Sequence, residues 1–216
     1  MRALVVYESM YGNTRAVATD IAAGLGAAHE VTMVPVCRAT RELVAAADLI
    51  VVGGPTHLHG MSTARSRRVA AEAARKRGSG LVLDPDAGGL GLRTWLDGLG
   101  ATQALAAAFC TRRNGPALFT GRASRRIARQ LARGGWRLLV PPESFLVSKQ
   151  ETLLEGEAAR ARSWGAEIGE AAHAVFAPQK QSLAARSGWW PCSYCSATAR
   201  ANGTPRTCSP AGSTWA

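Results

Sequence analysis

The sequence predicts a doubly wound α/β fold, a three-layer sandwich in which helices cover both faces of a five-stranded parallel sheet. Two observations point to it. Short apolar, β-branched runs recur along residues 1–147, and stretches with apolar residues at helical spacing separate them. The runs are apolar on both faces, which is typical of parallel strands buried between two layers. Right-handed crossovers then place the helices alternately above and below the sheet.

The elements follow one another along the chain. The predicted strands are residues 2–8, 29–36, 48–54, 106–110 and 136–140, the last continuing irregularly to residue 147. The predicted helices are residues 14–25, 41–46, 61–77, 92–99, 122–133 and 153–173, with loops at 78–91 and 112–121. Thr14 is expected to cap the first helix, because a threonine hydroxyl can accept a bond from an amide of the first turn.

Charge is concentrated in arginine. The 216 residues carry a formal charge of +11, and residues 1–176 hold 22 Lys and Arg against all 15 Asp and Glu, a balance of +7. No helix-turn-helix, zinc finger or aromatic-basic strand motif accompanies these bases, so we expect no specific nucleic-acid binding. Two explanations of the charge stay open. One is the coding bias of a GC-rich genome, and the other is an acidic partner or substrate.

Segment composition predicts compartment and domain organisation. No window approaches the roughly 18 uninterrupted apolar residues of a membrane span, so we expect none. The first apolar run meets Glu8 too early for a signal peptide, which predicts a cytoplasmic protein. Residues 177–216 lack acids and periodicity. We therefore expect one folded domain at 1–176 and a disordered tail at 177–216.

The strongest motif lies between the first strand and the first helix. It consists of Ser9, Met10, Tyr11, Gly12, Asn13 and Thr14. A phosphate at this place meets unpaired amides and the positive end of the helix dipole. Two hydroxyl groups add donors, and Gly12 permits close backbone approach. The motif is neither Gly-x-Gly-x-x-Gly nor a P-loop, which argues against a dinucleotide or a nucleoside triphosphate.

Two loops in register carry a family resemblance. Residues 5–15, Val-Val-Tyr-Glu-Ser-Met-Tyr-Gly-Asn-Thr-Arg, resemble the flavodoxin phosphate loop, whose pattern is Ser/Thr-x-Ser/Thr-Gly-x-Thr. Residues 51–61, Val-Val-Gly-Gly-Pro-Thr-His-Leu-His-Gly-Met, resemble that family's second flavin-contacting loop. Residues 108–112 and 141–147 resemble actinobacterial-type flavodoxin-domain proteins, so the likeness covers about residues 2–172. It implies FMN as cofactor, the flavodoxin-like strand order 2-1-3-4-5, and one- or two-electron transfer.

The resemblance also assigns site residues. The six residues of the first motif would bind the phosphate. The flavin ring would be flanked by Pro55, Thr56, His57, Leu58, His59 and Gly60, and by Thr111, Arg112 and Arg113. No residue stands out as a general acid or base, so the chemistry would belong to the flavin, with the protein supplying orientation and electrostatics.

Three functions stay open. The first is an FMN-binding flavoprotein that carries electrons to a redox partner protein or, as a small oxidoreductase, to a small-molecule acceptor. The second is an NAD(P)H-dependent quinone reductase, in which Arg65–Arg68 or Arg112–Arg113 attract the nucleotide's phosphates. The third is a flavin-free binding domain, which the absence of Trp and Tyr from residues 57–61 and 110–116 favours.

Histidine and cysteine also leave alternatives open. His57 and His59 could line a flavin, be ordinary loop residues, or form a metal pair that lacks a nearby acid or thiol in sequence. Cys110 is either a small buried residue or a redox thiol. The tail holds either an incomplete zinc set or incidental cysteines at Cys192, Cys195 and Cys208.

Overall fold

The computed structural model describes residues 1–26, 29–57, 59–100, 102 and 104–176. The predicted tail at 177–216, with its three cysteines, and Leu58 lie outside the described residues. Within them, no helix has the length and apolarity that crossing a membrane requires.

Strands and helices alternate along the described chain, as expected. Its strands are β1 (Arg2–Tyr7), β2 (Glu30–Pro35), β3 (Leu49–His57), β4 (Gly60–Met61), β5 (Leu105–Arg113), β6 (Arg137–Leu138) and β7 (Glu143–Val147). Its α-helices are α1 (Asn13–Leu25), α2 (Arg41–Ala46), α3 (Ala64–Arg75), α4 (Leu92–Asp97), α5 (Ala117–Thr120), α6 (Ala123–Arg133) and α7 (Glu157–Phe176), and a short 3-10 turn (Val36–Arg38) precedes α2.

The sheet has the predicted topology. Its order is β2-β1-β3-β5, and β6 and β7 both pair with the outer side of β5. All of these pairs are parallel, whereas β4 turns back antiparallel on β3. Because β6 and β7 follow one another along β5, they form one interrupted fifth strand. Pro141 and Pro142 lie at the interruption, where neither can donate an amide hydrogen to the ladder. The order 2-1-3-4-5 is therefore confirmed.

Two apolar cores lie on opposite faces of the sheet. Ala3, Val5 and Tyr7 of β1 point into a core shared with α1 and α7. Leu4 and Val6 point into a second core shared with α4 and α6. Every position of β1 beyond Arg2 is thus buried, which explains why its sequence is a continuous apolar run rather than an alternating one.

Helices α1 and α7 pack closely. A Cβ atom at Gly24 of α1 would overlap the carbonyl oxygen of Arg162, and one at Gly165 of α7 would overlap that of Ile21. Glycine at these two positions lets the backbones approach. Beneath them, the rings of Phe109, Phe145 and Trp164 meet edge to face with centroids 6.0–6.3 Å apart.

Two predicted helix starts are wrong. Helix α3 begins at Ala64 rather than residue 61, because residues 60–61 pair with β3 and Thr63 forms a capping box with Ser66. Helix α7 begins at Glu157 rather than residue 153, directly after Gly156 with its φ of +80°.

The predicted cap and one predicted loop are also wrong. Gly12, not Thr14, is the N-cap of α1, and its φ of +87° lies in the left-handed region. Thr14 lies inside the first turn, where its hydroxyl bonds to Thr111. The predicted loop at 112–121 contains the end of β5 and the short helix α5, because pairing with β7 prolongs β5 to Arg113.

Candidate functional site

A cleft of about 890 Å³ opens where the parallel strands end. Residues 10–14 follow β1, Pro55–His57 end β3, Thr111–Arg113 end β5, and Val147 ends β7. Helix α3 supplies a further wall, with α5 at the mouth. Ligands of doubly wound sheets bind at this carboxyl edge, so the cleft is the candidate functional site.

The loop after β1 presents free backbone donors. The amide of Gly12 donates to Ser9 Oγ at 3.1 Å, which folds the loop back on itself. Helix α1 makes its first bond from the amide of Ala16 to the carbonyl of Gly12 at 2.9 Å. Within the described residues, the amides of Asn13, Thr14 and Arg15 therefore have no acceptor. A Cβ at Gly12 would meet nothing within 4 Å, so the space beside this loop is open.

Side chains join this loop to distant parts of the chain. The hydroxyls of Thr14 and Thr111 are buried and lie 2.8 Å apart. Asn13 Nδ2 donates to the carbonyl oxygen of Glu151 at 2.7 Å. The hydroxyl of Tyr11 donates to the carbonyl of Ala70 at 2.9 Å, so this hydrogen bond links the loop to α3. These bonds hold the loop against β5, α3 and the segment after β7.

A buried ion pair anchors α3 beside the same loop. Glu8, directly before the loop, is 3% exposed and lies 3.4 Å from Arg67 Nε of α3. The other carboxylate oxygen accepts the amide of Leu92 at 2.6 Å, and Arg67 also donates to the carbonyls of Ala87 and Gly89. Glu8 Oε1 and Arg67 Nε attract each other as an ion pair without a hydrogen bond, while the other ends of both side chains are bonded to the backbone, so this cluster fixes α3 as a wall of the cleft.

The second predicted loop is a tight hairpin between β3 and β4. Thr56 pairs with Met61 and His57 with Gly60. His59 has a φ of +70° and bridges to Gly121, where a Cβ would overlap the His59 backbone. Glycine at 121 therefore permits this contact. The hairpin reaches the cleft through Thr56, His57 and His59.

His57 is held as a neutral imidazole. Its Nδ1 lies 3.1 Å from Ser66 Oγ of α3. Burial lowers the pKa of His57 below 6.5, and the carboxylates of Glu8 and Glu151 offset this only in part. At pH 7 the side chain is therefore uncharged, and it offers a hydrogen-bonding ring rather than a cation to the cleft.

The two arginines at the end of β5 are already engaged. Arg113 forms an ion pair with Glu151, with Nη2 and Oε1 2.6 Å apart. Arg112 Nη1 donates to the Gly115 carbonyl and to Thr120 Oγ1, each at 2.8 Å. Its Nε is buried and has no partner among the described residues. Arg112 thus holds the segment that carries α5 over the cleft.

An apolar wall faces these polar groups, and the sequence analysis missed it. Val69, Ala70 and Ala73 come from α3, and Phe119 comes from α5. Val69 is 58% exposed and Phe119 is 72% exposed, unusual values for large apolar side chains. The missed signals were the i, i+4 spacing of Val69 and Ala73 and the apolar Leu118-Phe119 pair inside a predicted loop.

The structure brings most predicted site residues together. Those it describes line the cleft, except Ser9, Gly12 and Gly60, which are not among the lining residues. Leu58 is outside the described residues. Cys110 is fully buried and bonds to Ser144 Oγ at 3.3 Å, away from the cleft lining. Within the described ranges, no group of three or more His, Cys, Asp or Glu is placed to hold a metal ion.

Comparison with known proteins agrees with this geometry. The flavodoxin family model matches residues 5–110, which include the loop after β1 and the β3–β4 hairpin. Over these residues the chain is similar to the flavodoxin family, and its fold is flavodoxin-like. None of the curated proteins matches it.

Solved structures show the fold of this flavodoxin-like chain. A flavodoxin from the domain Archaea superposes with a TM-score of 0.55 at 19% identity, covering 80% of this chain and 99% of the other. Flavodoxin 1 from Bacillus cereus superposes with a TM-score of 0.55 at 15% identity, covering 79% of this chain and 98% of the other. The two-electron reduced flavodoxin of Megasphaera elsdenii superposes with a TM-score of 0.51 at 18% identity, covering 78% of this chain and 98% of the other.

The family match of this flavodoxin-like chain ends before the last part of the cleft. Its last matched residue is Cys110. Arg112, Phe119 and Glu151 lie beyond that point, yet all three line the cleft. The part of the site after β5 must therefore be argued from its own contacts.

Proposed function

We propose that this flavodoxin-like chain binds FMN in the cleft and transfers electrons between the flavin and a partner. One observation carries the proposal: the cleft joins unpaired helix amides at one end to an exposed apolar wall at the other. A flavin mononucleotide has the matching parts, because a doubly charged phosphate is linked through a sugar alcohol to a flat ring system.

The phosphate end fits such a group without a basic side chain. Amides of Asn13, Thr14 and Arg15 at the start of α1 supply donors and the positive end of the helix dipole. Gly12 keeps the approach open. Arg15 is bound at 3.3 Å to the carboxylate of Asp84, so its charge is already balanced by a buried acid.

The ring end fits a flat, largely apolar group. Phe119 and Val69 are large side chains that water reaches in this structure, and covering them would be favourable. The neutral ring of His57 and the hydroxyl of Thr56 supply polar groups at the edge of this surface. Phe119 thus provides an aromatic surface that residues 57–61 and 110–116 lack.

The flavin, when bound, supplies the redox chemistry by accepting and releasing electrons. The chain's own residues bind, orient and exclude water. Arg112 and the Glu8–Arg67 pair hold the walls, while the pairing of Arg113 with Glu151 limits the charge beside the cleft. The two-electron reduced flavodoxin of similar fold supports a redox role.

The experiment is reconstitution of the purified chain with FMN. We expect a bound-flavin absorption band near roughly 450 nm and quenching of flavin fluorescence at a one-to-one ratio. Riboflavin, which lacks the phosphate, should bind more weakly by about tenfold or more, because the helix amides lose their anion. The absence of both the absorption band and the quenching would contradict the proposal and favour a flavin-free binding domain. Saturable NADPH oxidation by the loaded protein would identify an oxidoreductase rather than a carrier.

A further inference from the structure

A second, smaller groove lies on the other side of the β3–β4 hairpin. Its volume is about 240 Å³, and its lining is Met61, Arg93, Arg126, Arg129, Gln130 and Arg133. Met61 pairs in the hairpin with Thr56, which lines the cleft. The Arg126 side chain packs beside Gly60, with its Cδ 3.4 Å from where a Cβ would stand. The groove therefore adjoins the cleft through two strand residues.

The positive charge of this groove is not balanced within the described residues. Six arginines elsewhere in that part of the chain form ion pairs: Arg15, Arg38, Arg67, Arg113, Arg160 and Arg162. None of the four groove arginines has a carboxylate within ion-pair distance there. Arg93 donates to the carbonyls of Met61 and Ser62 at 3.1 and 3.4 Å. The nearby acid, Asp97, accepts the amide of Gln130 instead.

Helix α6 carries this charge at the expense of its own stability. No acidic residue occurs between Asp97 and Glu143. Arg122 and Arg126, Arg125 and Arg129, and Arg129 and Arg133 are i, i+4 neighbours, where like charges repel. The opposite face of α6 packs into the core through Ile127 and Leu131. Folding therefore depends on the apolar face, and on the basic face only Arg133, in the last turn, is placed to interact favourably with the helix dipole.

We propose that this groove and the outer face of α6 dock an acidic surface of a partner protein. Helix α6 has 11 residues, and at about 1.5 Å per residue its basic face is roughly 16 Å long. That length exceeds a single phosphate or carboxylate and suits an extended surface. Guanidinium groups pair with carboxylates through two parallel hydrogen bonds. No aromatic side chain lines the groove to stack a base, so a protein fits better than a single-stranded nucleic acid.

The partner's role rests on the proposed function. A protein seated on α6 lies beside the hairpin and hence beside the cleft, where electrons would be exchanged. Docking itself needs no flavin. The two ideas can therefore be tested separately in one set of samples, with and without FMN.

The test compares two charge-matched triple variants. The first combines Arg126→Gln, Arg129→Gln and Arg133→Gln, which removes three exposed charges from the groove. The control combines Arg75→Gln, Lys76→Gln and Arg77→Gln, which removes three exposed charges at the C-terminal end of α3. Binding of fluorescein-labelled poly-L-glutamate is measured by anisotropy at about 0.05 M salt, where surface charges are weakly screened. We expect the groove variant to lose about tenfold in affinity and the control less than about threefold.

Further measurements assign each remaining outcome. Equal losses in both variants would overturn the proposal, because the binding would then follow net charge alone. Tighter binding of a short DNA duplex than of poly-L-glutamate would also overturn it and assign the groove to nucleic acid. If the triple variant does not fold, the single variant Arg129→Glu is measured in its place. It changes one exposed residue and must weaken the binding of poly-L-glutamate. FMN affinity is titrated in parallel. Poly-L-glutamate binding by a chain that takes up no FMN supports the docking surface and overturns the proposed function.

Discussion

The two ends of the cleft are built in opposite ways. The phosphate end, as we propose it, is one contiguous stretch, residues 9–15, whose key donors are backbone amides at the start of α1. The ring end collects Val69 and Ala73 from α3, Phe119 from α5, and Glu151 from the segment after β7. The first end is organised by local geometry and by buried bonds. The second depends on elements far apart in the chain and is largely exposed.

This difference predicts a difference in energetics. At the phosphate end each donor is fixed by the helix or by a buried bond, so a small change in the backbone should affect FMN strongly and riboflavin little. At the ring end, contacts are apolar and exposed. A substitution there should affect FMN and riboflavin alike and by a smaller factor.

The largest effect is expected from Gly12→Val. Its φ of +87° strains a β-branched residue, and the new side chain would stand in the open space before the helix amides. We expect FMN affinity to fall by about thirtyfold or more, equivalent to about 2 kcal/mol, measured by fluorescence titration.

Gly78→Val is the matched control. Gly78 has a φ of +77° and also has open space at its Cβ position, but it follows the end of α3 and, unlike Gly12, does not precede the free amides of α1. Both variants should lose about 1–2 kcal/mol of folding stability from strain, seen as a lower melting temperature. Equal loss of FMN affinity in both would place the phosphate elsewhere.

Thr14→Val should have the next largest effect. It removes a buried hydroxyl and leaves Thr111 Oγ1 without the partner now 2.8 Å away. We expect a loss of about 1–2 kcal/mol in FMN binding. Riboflavin binding should change far less. The combined Thr14→Val and Thr111→Val variant should be more stable than the sum of the single losses implies, because no hydroxyl is then left unpaired. Additive melting shifts would contradict the pairing.

The same contrast explains how much could be predicted from the sequence. Strand periodicity and the helix start at residue 13 are local, so the fold and the loop from Ser9 to Thr14 follow from the printed residues. The role of Thr14 does not, because its partner Thr111 is 97 positions away. The local sequence predicted a capping role for Thr14, whereas in the structure its hydroxyl pairs with Thr111.

The ring end was harder for a physical reason. Residues 112–121 look like a loop because Gly and Pro interrupt them, yet pairing with β7 extends β5, and Arg112 bonds to Thr120 at the end of α5. Neither contact leaves a local pattern. The exposed Phe119 therefore became visible as part of the cleft only in three dimensions.

Phe119→Ala tests the ring end directly. Loss of the ring removes an apolar contact to the flavin, and we expect about a fivefold weaker affinity for FMN and for riboflavin, equivalent to about 1 kcal/mol. Leu118→Ala is the control, since Leu118 is the adjacent residue, is 83% exposed and does not line the cleft. A loss confined to FMN would mean that Phe119 acts at the phosphate instead.

The smallest effects concern charge at the ring end and are measured as potentials. The fully reduced flavin is an anion, so nearby positive charge favours it and nearby negative charge opposes it. At an effective dielectric of ~20, a unit charge about 8 Å from an anion contributes on the order of 2 kcal/mol before salt screening. Exposure reduces this severalfold. Because about 1.4 kcal/mol corresponds to 59 mV for one electron, the expected shifts are tens of millivolts.

The paired and unpaired charges at this end predict opposite signs. Arg112 has no carboxylate partner among the described residues, so Arg112→Gln should make the second one-electron potential more negative. Glu151 balances Arg113 across 2.6 Å, so Glu151→Gln should leave the Arg113 charge uncompensated and make that potential less negative. Spectroelectrochemistry of the FMN-loaded variants measures both. Shifts of the same sign would mean that the Arg113–Glu151 pair does not face the ring, which would remove the electrostatic asymmetry inferred for this end of the cleft.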